Sequence, residues 1–256
     1  MIRRELHGGV LMLTFDRPEA RNALTSEMLC VLAAGFDEAE RDPMVRAVVL
    51  RAAGPTFCAG GDFGAFRRLI AEAAPAGGPD PIVGYNRAYG AVLERLAGLT
   101  VPTIAVVAGA AVGGGVGFVA ASDFVLARAD ATFRLPEVTL GLPPAQVAPF
   151  VADRIGRVRA LQVMLSAEAL DADAALRCGL VDRVAPNDAE LAAELARTLA
   201  ALERAEPAAV RATKAILTRD RAGERGATLD VAAEHFARAL RSGAVSEWLA
   251  ARSPSS

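Results

Sequence analysis

Two glycine-rich stretches, FCAGGDF (Phe57 to Phe63) and GAAVGGGVGF (Gly109 to Phe118), constrain this chain more than any other feature. Each follows an apolar run of β character: VRAVVLRAAG (Val45 to Gly54) precedes the first and PTIAVVAG (Pro102 to Gly109) the second. Glycines at a strand end let the backbone take positive φ and let a ligand approach the peptide N–H groups. One such turn is compatible with packing alone. Two, each opening a helix-like segment, suggest paired amide donors aimed at one developing negative charge. That is an oxyanion hole, worth roughly 3 kcal/mol per donor.

Strand-like and helix-like segments alternate through the first two thirds of the chain, as in an α/β layer fold. Val10 to Phe15 reads as a strand, and Thr25 offers an N-cap for a helix to about Arg41, with Leu29, Leu32, Phe36 and Ala39 at helical spacing. Val45 to Arg51 is the next strand, followed by a helix over Phe63 to Glu72 and a Gly/Pro-rich insertion over Ala73 to Pro81. Ile82 to Leu99 and Gly115 to Ala121 are helical, separated by the strand Thr103 to Ala108; Phe124 to Ala127 and Thr132 to Leu135 are short strands. Past Pro143-Pro144 a helix is expected over Ala145 to Ile155. From Val158 onward the pattern is nearly all helical, broken by Val181 to Val184.

Composition excludes several classes. With 23% charged residues, a formal net charge of −2 and no basic block, the 256-residue chain offers nothing for nucleic acid. Polar residues and glycines interrupt every long apolar run, and MIRRELHGG lacks the apolar core of a signal peptide; no membrane span and a cytoplasmic location are expected. Cys30, Cys58 and Cys178 match neither a metal spacing nor a disulfide framework, and Cys58 has no histidine nearby in sequence, so it reads as a buried spectator. His7 and His235 are the only histidines, and no Ser–His–acid or metal constellation is visible, so no metal is expected. A dinucleotide fingerprint fails too: from Gly113, Phe118 stands where the third glycine is required.

Phe57-x-Ala59-Gly60-x-Asp62, then Gly113-Gly114-Gly115, then Leu135-Pro136-Glu137-x-x-Leu140-Gly141 resemble the crotonase (enoyl-CoA hydratase/isomerase) superfamily, from Arg17 to at least Lys214. The resemblance implies a crotonase-like spiral of ββα turns over residues 1–195 and a helical C-terminal region over 196–256 used in oligomer contacts, in a homotrimer or homohexamer. It implies an acyl-CoA thioester as substrate, with no cofactor beyond the coenzyme A the substrate carries. The oxyanion amides would be those of Gly61 and Gly114, and Glu137 the catalytic base. Ala59 would lie against the adenine, with Arg21 and Ala23 near the nucleotide, while Asp62 would hold its own turn. Phe63, Gly113, Pro136, Gly141 and Gln146 complete the substrate-binding set. Lys214 and Phe236 are candidates for the adenine or phosphate pocket, and Trp248 lies in the C-terminal stretch.

From the residues alone Glu137 reads first as a surface or N-capping glutamate, and the resemblance is what makes it the candidate base. It sits between apolar strand residues and a Leu140-Gly141-Leu142-Pro143 turn, where desolvation raises a carboxylate's pKa towards a useful range for moving protons at carbon. One departure bears on the reaction: where typical hydratases carry a second glutamate, this chain has Gly117. Two carboxylates suit hydration, whereas one suits a 1,3-proton shift. Yet Leu140 to Phe150 resembles bacterial hydratases of the methylglutaconyl and isohexenylglutaconyl type, which also carry glycine there. The expectation is therefore an enoyl-CoA hydratase, with an enoyl-CoA isomerase as the alternative. Arg67 or Arg68 could pair with a substrate carboxylate, although a solvated helix face is the ordinary state of such arginines.

Overall fold

The computed structural model describes residues 1–72, 78, 80–219, 222–243, 245, 247 and 250. Most of the insertion at 73–81, and Trp248, lie outside them. The chain opens with an antiparallel hairpin of β1 (Ile2–His7) and β2 (Val10–Phe15), turned at Gly8-Gly9 with φ of 54° and 77°. Strand β1 escapes the sequence reading because charged residues fill it and only Ile2 is buried. From β2 the sheet continues in parallel through β3 (Ala47–Ala52), β5 (Thr103–Val107), β7 (Phe124–Arg128) and β10 (Arg183–Ala185). Val48, Val49, Leu50, Ile104 and Ala105 are fully buried, as parallel strands covered on both faces require.

A second, four-stranded sheet consists of β4 (Thr56–Cys58), β6 (Ala110–Val112), β8 (Thr132–Arg134) and β9 (Leu170–Asp171), in that order. Strands β3, β5 and β7 each turn a short corner into β4, β6 and β8. After β4 come α2 (Phe63–Ala71) and α3 (Pro81–Gly98); after β6 comes α4 (Gly114–Ala121). This is the spiral of ββα turns that the motifs implied. The second strand of each turn is three residues long and β9 only two, so β4, β6 and β9 pass for loop in the sequence, and only β8 coincides with an expected strand, Thr132 to Leu135.

Between the hairpin and β3, α1 (Ser26–Arg41) starts where Thr25 Oγ1 accepts a hydrogen bond from the Met28 amide, and it buries Met28, Leu29, Leu32, Phe36 and Ala39. Phe15 packs edge-on against Phe57 and tilted against Phe118, at 5.3 and 5.4 Å between ring centres, joining β2, β4 and α4. The helix expected over Ala145 to Ile155 is two pieces: a 3-10 turn at Ala145–Val147, then α5 (Ala148–Ile155) with Pro149 in its first turn, where a missing N–H is harmless. Next come α6 (Arg157–Ser166), α7 (Ala172–Arg177), α8 (Asp188–Glu203), α9 (Pro207–Arg219) and α10 (Ala222–Arg241). Residues 195 and 196 lie within α8. Helix α10 folds back on α3, and Phe236, Ala237 and Leu240 pack with Phe66, Ile82, Leu142 and Ala145. No helix of the described residues is long and apolar enough to cross a membrane.

Asn22 fixes the entrance to the first glycine loop. Fully buried at φ 55°, it donates to Ala53 O (3.0 Å) and Thr56 O (2.7 Å), and its Oδ1 accepts from the Arg17 amide at 2.7 Å. Asn22→Ala would leave these three backbone groups unpaired and place alanine in the left-handed region. A loss of about 3 kcal/mol is expected in urea unfolding, against near-neutral substitutions at exposed positions of α8.

Candidate active site

Parallel pairing of β4 with β6 (Thr56 opposite Ala110, Cys58 opposite Ala111) brings the two glycine loops together. A Cβ on Gly60 would lie 3.0 Å from Val112 O and 3.4 Å from Gly114 N, so the loops meet backbone to backbone. Gly113 adopts φ 52°, ψ −117°, a conformation essentially confined to glycine, and its N–H donates to Arg134 O at 2.8 Å. That kink leaves Gly114 as the first residue of α4, where an amide has no partner within the helix and the helix dipole is positive. On the facing loop, Leu24 N donates to Gly60 O at 2.8 Å and Ala59 N to Arg21 O at 3.0 Å. The Gly61 amide is left between them. Neither the Gly61 nor the Gly114 amide has a protein acceptor among the described residues, and both residues line a cavity of about 440 Å³.

Glu137 enters the same cavity from the start of a 3-10 turn, Glu137–Leu140, that follows β8. Gly141 closes the turn at φ 75°, its N–H donating to Val138 O, and Leu142 N donates to Glu137 O at 3.0 Å. Oε1 lies 2.9 Å from where a Cβ on Gly113 would be, and Oε2 is buried without a partner. Burial pushes this carboxyl from 4.5 up to about 7, with its own backbone amide opposing the shift. Among the described residues, no other carboxylate lines the cavity.

The Gly117 position is filled from outside. A Cβ there would stand 2.1 Å from Tyr89 Oη, on α3, and 3.0 Å from Leu93 Cδ1. The Tyr89 hydroxyl donates to Gly114 O at 2.6 Å.

Most of the residues named from sequence line the cavity: Gly61, Gly114, Glu137, Arg21, Ala59, Phe63, Gly113, Pro136 and Gln146. Three do not. Leu24 lines the wall in place of Ala23, whose carbonyl accepts from Arg17 Nη1. Asp62 caps α2, its Oδ1 accepting from Gly64 N (2.8 Å) and Ala65 N (3.3 Å), in keeping with a turn-holding part. Gly141 shapes the Glu137 turn from outside the wall. Arg67 and Arg68 are exposed on α2 and do not line the cavity. Lys214 is held by Val101 O (2.8 Å) and Asp123 (2.5 Å), away from it, whereas Phe236 does form part of the wall, edge-on to Phe66 at 5.8 Å. Cys58 is fully buried; its thiol, pushed up to about 12 by burial, accepts from Gly60 N, as a spectator would.

The sequence placed the pocket wall within Phe63 to Tyr89 without singling out Phe66, Tyr85, Asn86 or Tyr89, which line it, and it left out Leu142. For Tyr89 a signal existed: a glycine inside a helix costs about 1 kcal/mol and usually marks a close neighbour. Gln146 lies almost wholly buried, its Nε2 donating to Leu229 O at 2.8 Å, while Gln146 Oε1 and Asn86 Oδ1 have no partner. Among the described residues no cluster of three or more His, Cys, Asp or Glu could hold a metal.

The arrangement can bind an oxygen that gains negative charge, with two amides, and exchange a proton beside it through one carboxylate. Because Glu137 binds its proton more tightly in the folded state, the fold loses stability as pH rises from 4.5 to about 7. Gln cannot ionise. Glu137→Gln is therefore expected to be more stable than the parent by about 3 kcal/mol at pH 8, with the gain vanishing below pH 4.5; urea melts across that range measure it.

A family model described as enoyl-CoA hydratase/isomerase matches residues 5–247. The 1,2-epoxyphenylacetyl-CoA isomerase of Escherichia coli is 35% identical over 195 residues, covering 75% of this chain and 73% of that protein. An enoyl-CoA isomerase/hydratase of Mycosarcoma maydis is 35% identical over 218 residues, covering 80% and 76%. The crystal structure of an enoyl-CoA hydratase/isomerase from Marinobacter aquaeolei superposes with a TM-score of 0.82 at 36% identity, covering 99% of this chain and 97% of that one.

Proposed function

The chain belongs to the enoyl-CoA hydratase/isomerase family, and we propose that it moves the double bond of an enoyl-CoA thioester through an enolate, with Glu137 as the one proton carrier. The observation that carries this is the solitary carboxylate. It is the only one on the wall among the described residues, its proton affinity lies near neutrality, and it stands beside two unengaged amides.

In this reading the thioester oxygen accepts from the Gly61 and Gly114 amides. Glu137 takes a proton from C2 of a 3-enoyl ester, and negative charge moves onto that oxygen. The protonated Glu137 then returns the proton to C4, leaving the double bond at C2 and the carboxylate regenerated. A group with a pKa near 7 both accepts and releases the proton readily. The α4 dipole strengthens the hold on the enolate.

Hydration is the second reading, and the unpartnered acceptors Glu137 Oε2, Asn86 Oδ1 and Gln146 Oε1 favour it, because a water could donate to them. One carboxylate can also serve that reaction: Glu137 takes a proton from water as its oxygen bonds to C3, then gives the proton to C2. Isomerisation ranks first because the Gly117 space, where a second carboxylate would help hold that water, is filled by a neutral phenol. A glutaconyl-type substrate loses support, since neither Arg67 nor Arg68 reaches the wall to meet its second carboxylate.

Incubation with crotonyl-CoA, 3-methylglutaconyl-CoA and a 3-enoyl-CoA, followed by mass spectrometry and chromatography of the esters, separates the readings. Conversion of the 3-enoyl ester at unchanged mass is expected, and gain of one water on a 2-enoyl ester would favour hydration. Glu137→Gln should lower the rate by about 10³-fold. Since the carboxylate form starts the reaction, kcat/KM should rise with pH through about 7 and level off above it.

A further inference from the structure

Four of the five residues from Gly113 to Gly117 are glycine, and they carry one of the two oxyanion amides. Glycine is the poorest ordinary helix former after proline, at roughly 1 kcal/mol per residue below alanine. The first turn of α4 is thus the segment least able to hold its own geometry, at the place where geometry matters most. Tyr89 meets it there. Its hydroxyl donates to Gly114 O at 2.6 Å, and its ring packs against Phe118, one turn further along α4, at 5.8 Å between ring centres.

The phenol reaches Gly114 only because residue 117 has no side chain, since a Cβ there would overlap Oη. Leu24 Cδ1 and Tyr89 Oη would also stand 3.0 and 3.3 Å from a Cβ on Gly114, so the residue is enclosed on its side-chain face and bonded at its carbonyl. Its N–H is the group left for the cavity. We propose that Tyr89 is a positioning residue that aims the Gly114 amide at the thioester oxygen, and that Gly117 is the opening through which it does so.

Gly117 is then more than a missing acid: it exchanges a charged group for a neutral clamp on the oxyanion hole. The phenol suits that task, because burial together with the nearby Cys58 and Glu137 holds it well above its ordinary pKa, so its proton stays in place. The inference rests on the oxyanion role given to Gly114, but not on whether the reaction is isomerisation or hydration.

The test uses absorption as well as turnover. A 2,4-dienoyl-CoA absorbs further to the red when its carbonyl is polarised, which reports on the amides without any reaction. Tyr89→Phe keeps the ring and loses the bond. It should lose most of the red shift of the bound ester and lower kcat roughly 30-fold for whichever reaction the protein performs, with KM changed less than about 3-fold. Gly117→Ala should act alike by pushing the phenol aside, and the double variant should be no worse than the poorer single one, because both remove the same contact. Glu137→Gln should keep the red shift while losing turnover, which separates failure of the proton-carrier reading from failure of this one. An unchanged red shift in Tyr89→Phe, additive losses in the double variant, or no red shift in the parent protein would each overturn the proposal.

Discussion

The short strands β4, β6 and β8 lie side by side in parallel, and their register decides where both glycine loops and Glu137 stand. Cys58 pairs beside Ala111, and Val112 beside Arg134. The residues just past each strand end are therefore neighbours: Gly60 and Gly61, Gly113 and Gly114, Pro136 and Glu137. Side chains alternate along strands, so a slip of one residue would turn Phe57 or Phe133 out of the core. Burial of these two rings holds the register, and with it the spacing between amides and carboxylate. The large sheet and the helices around it serve to fix three strand ends.

Charge at the site is governed by what is absent. Arg21 and Arg134 are the only cations on the wall among the described residues; Arg21 is exposed at the rim, and Arg134 Nε donates to Ala167 O. No ion pair involving Glu137 occurs among the described residues, and its Oε2 has no hydrogen-bond donor. Burial, opposed only by its own backbone amide, raises its pKa to about 7, which is why keeping it ionised weakens the fold. Neutral Tyr89 leaves that balance to Glu137. A second carboxylate would add a repelling charge beside Glu137.

Much of this was legible in the sequence, for reasons that can be named. The long parallel strands show as apolar runs, and α1 shows its periodicity and its Thr25 cap. The glycine loops and Glu137 announce themselves because their backbone demands and motif order are local. What stayed hidden depends on contacts distant in sequence. Strands β4, β6 and β9 have too few residues for alternation to show, and β1 exposes its charges. Asp62 holds its turn as the motif implied, whereas Ala23 and Gly141, which the resemblance puts beside the substrate, face or shape a turn instead. Tyr89 lies twenty-five residues before Gly114, on a helix whose other tyrosine, Tyr85, looks equally plausible. Only packing tells them apart: Tyr89 points at α4, and Tyr85 at Phe66, 6.1 Å between ring centres.

The α10 side of the cavity has its own consequence. Gln146 is held by Leu229 O across eighty-three residues, and Phe236 closes on Phe66 from α10. During synthesis the amides, the carboxylate and Tyr89 all leave the ribosome well before α10 does. A nascent chain that stops short of α10 holds both glycine loops, Tyr89 and Glu137 but lacks the Leu229 carbonyl that Gln146 bonds and the ring that packs on Phe66. Order of synthesis thus bears on the cavity: its Phe236 side is in place only once α10 has docked.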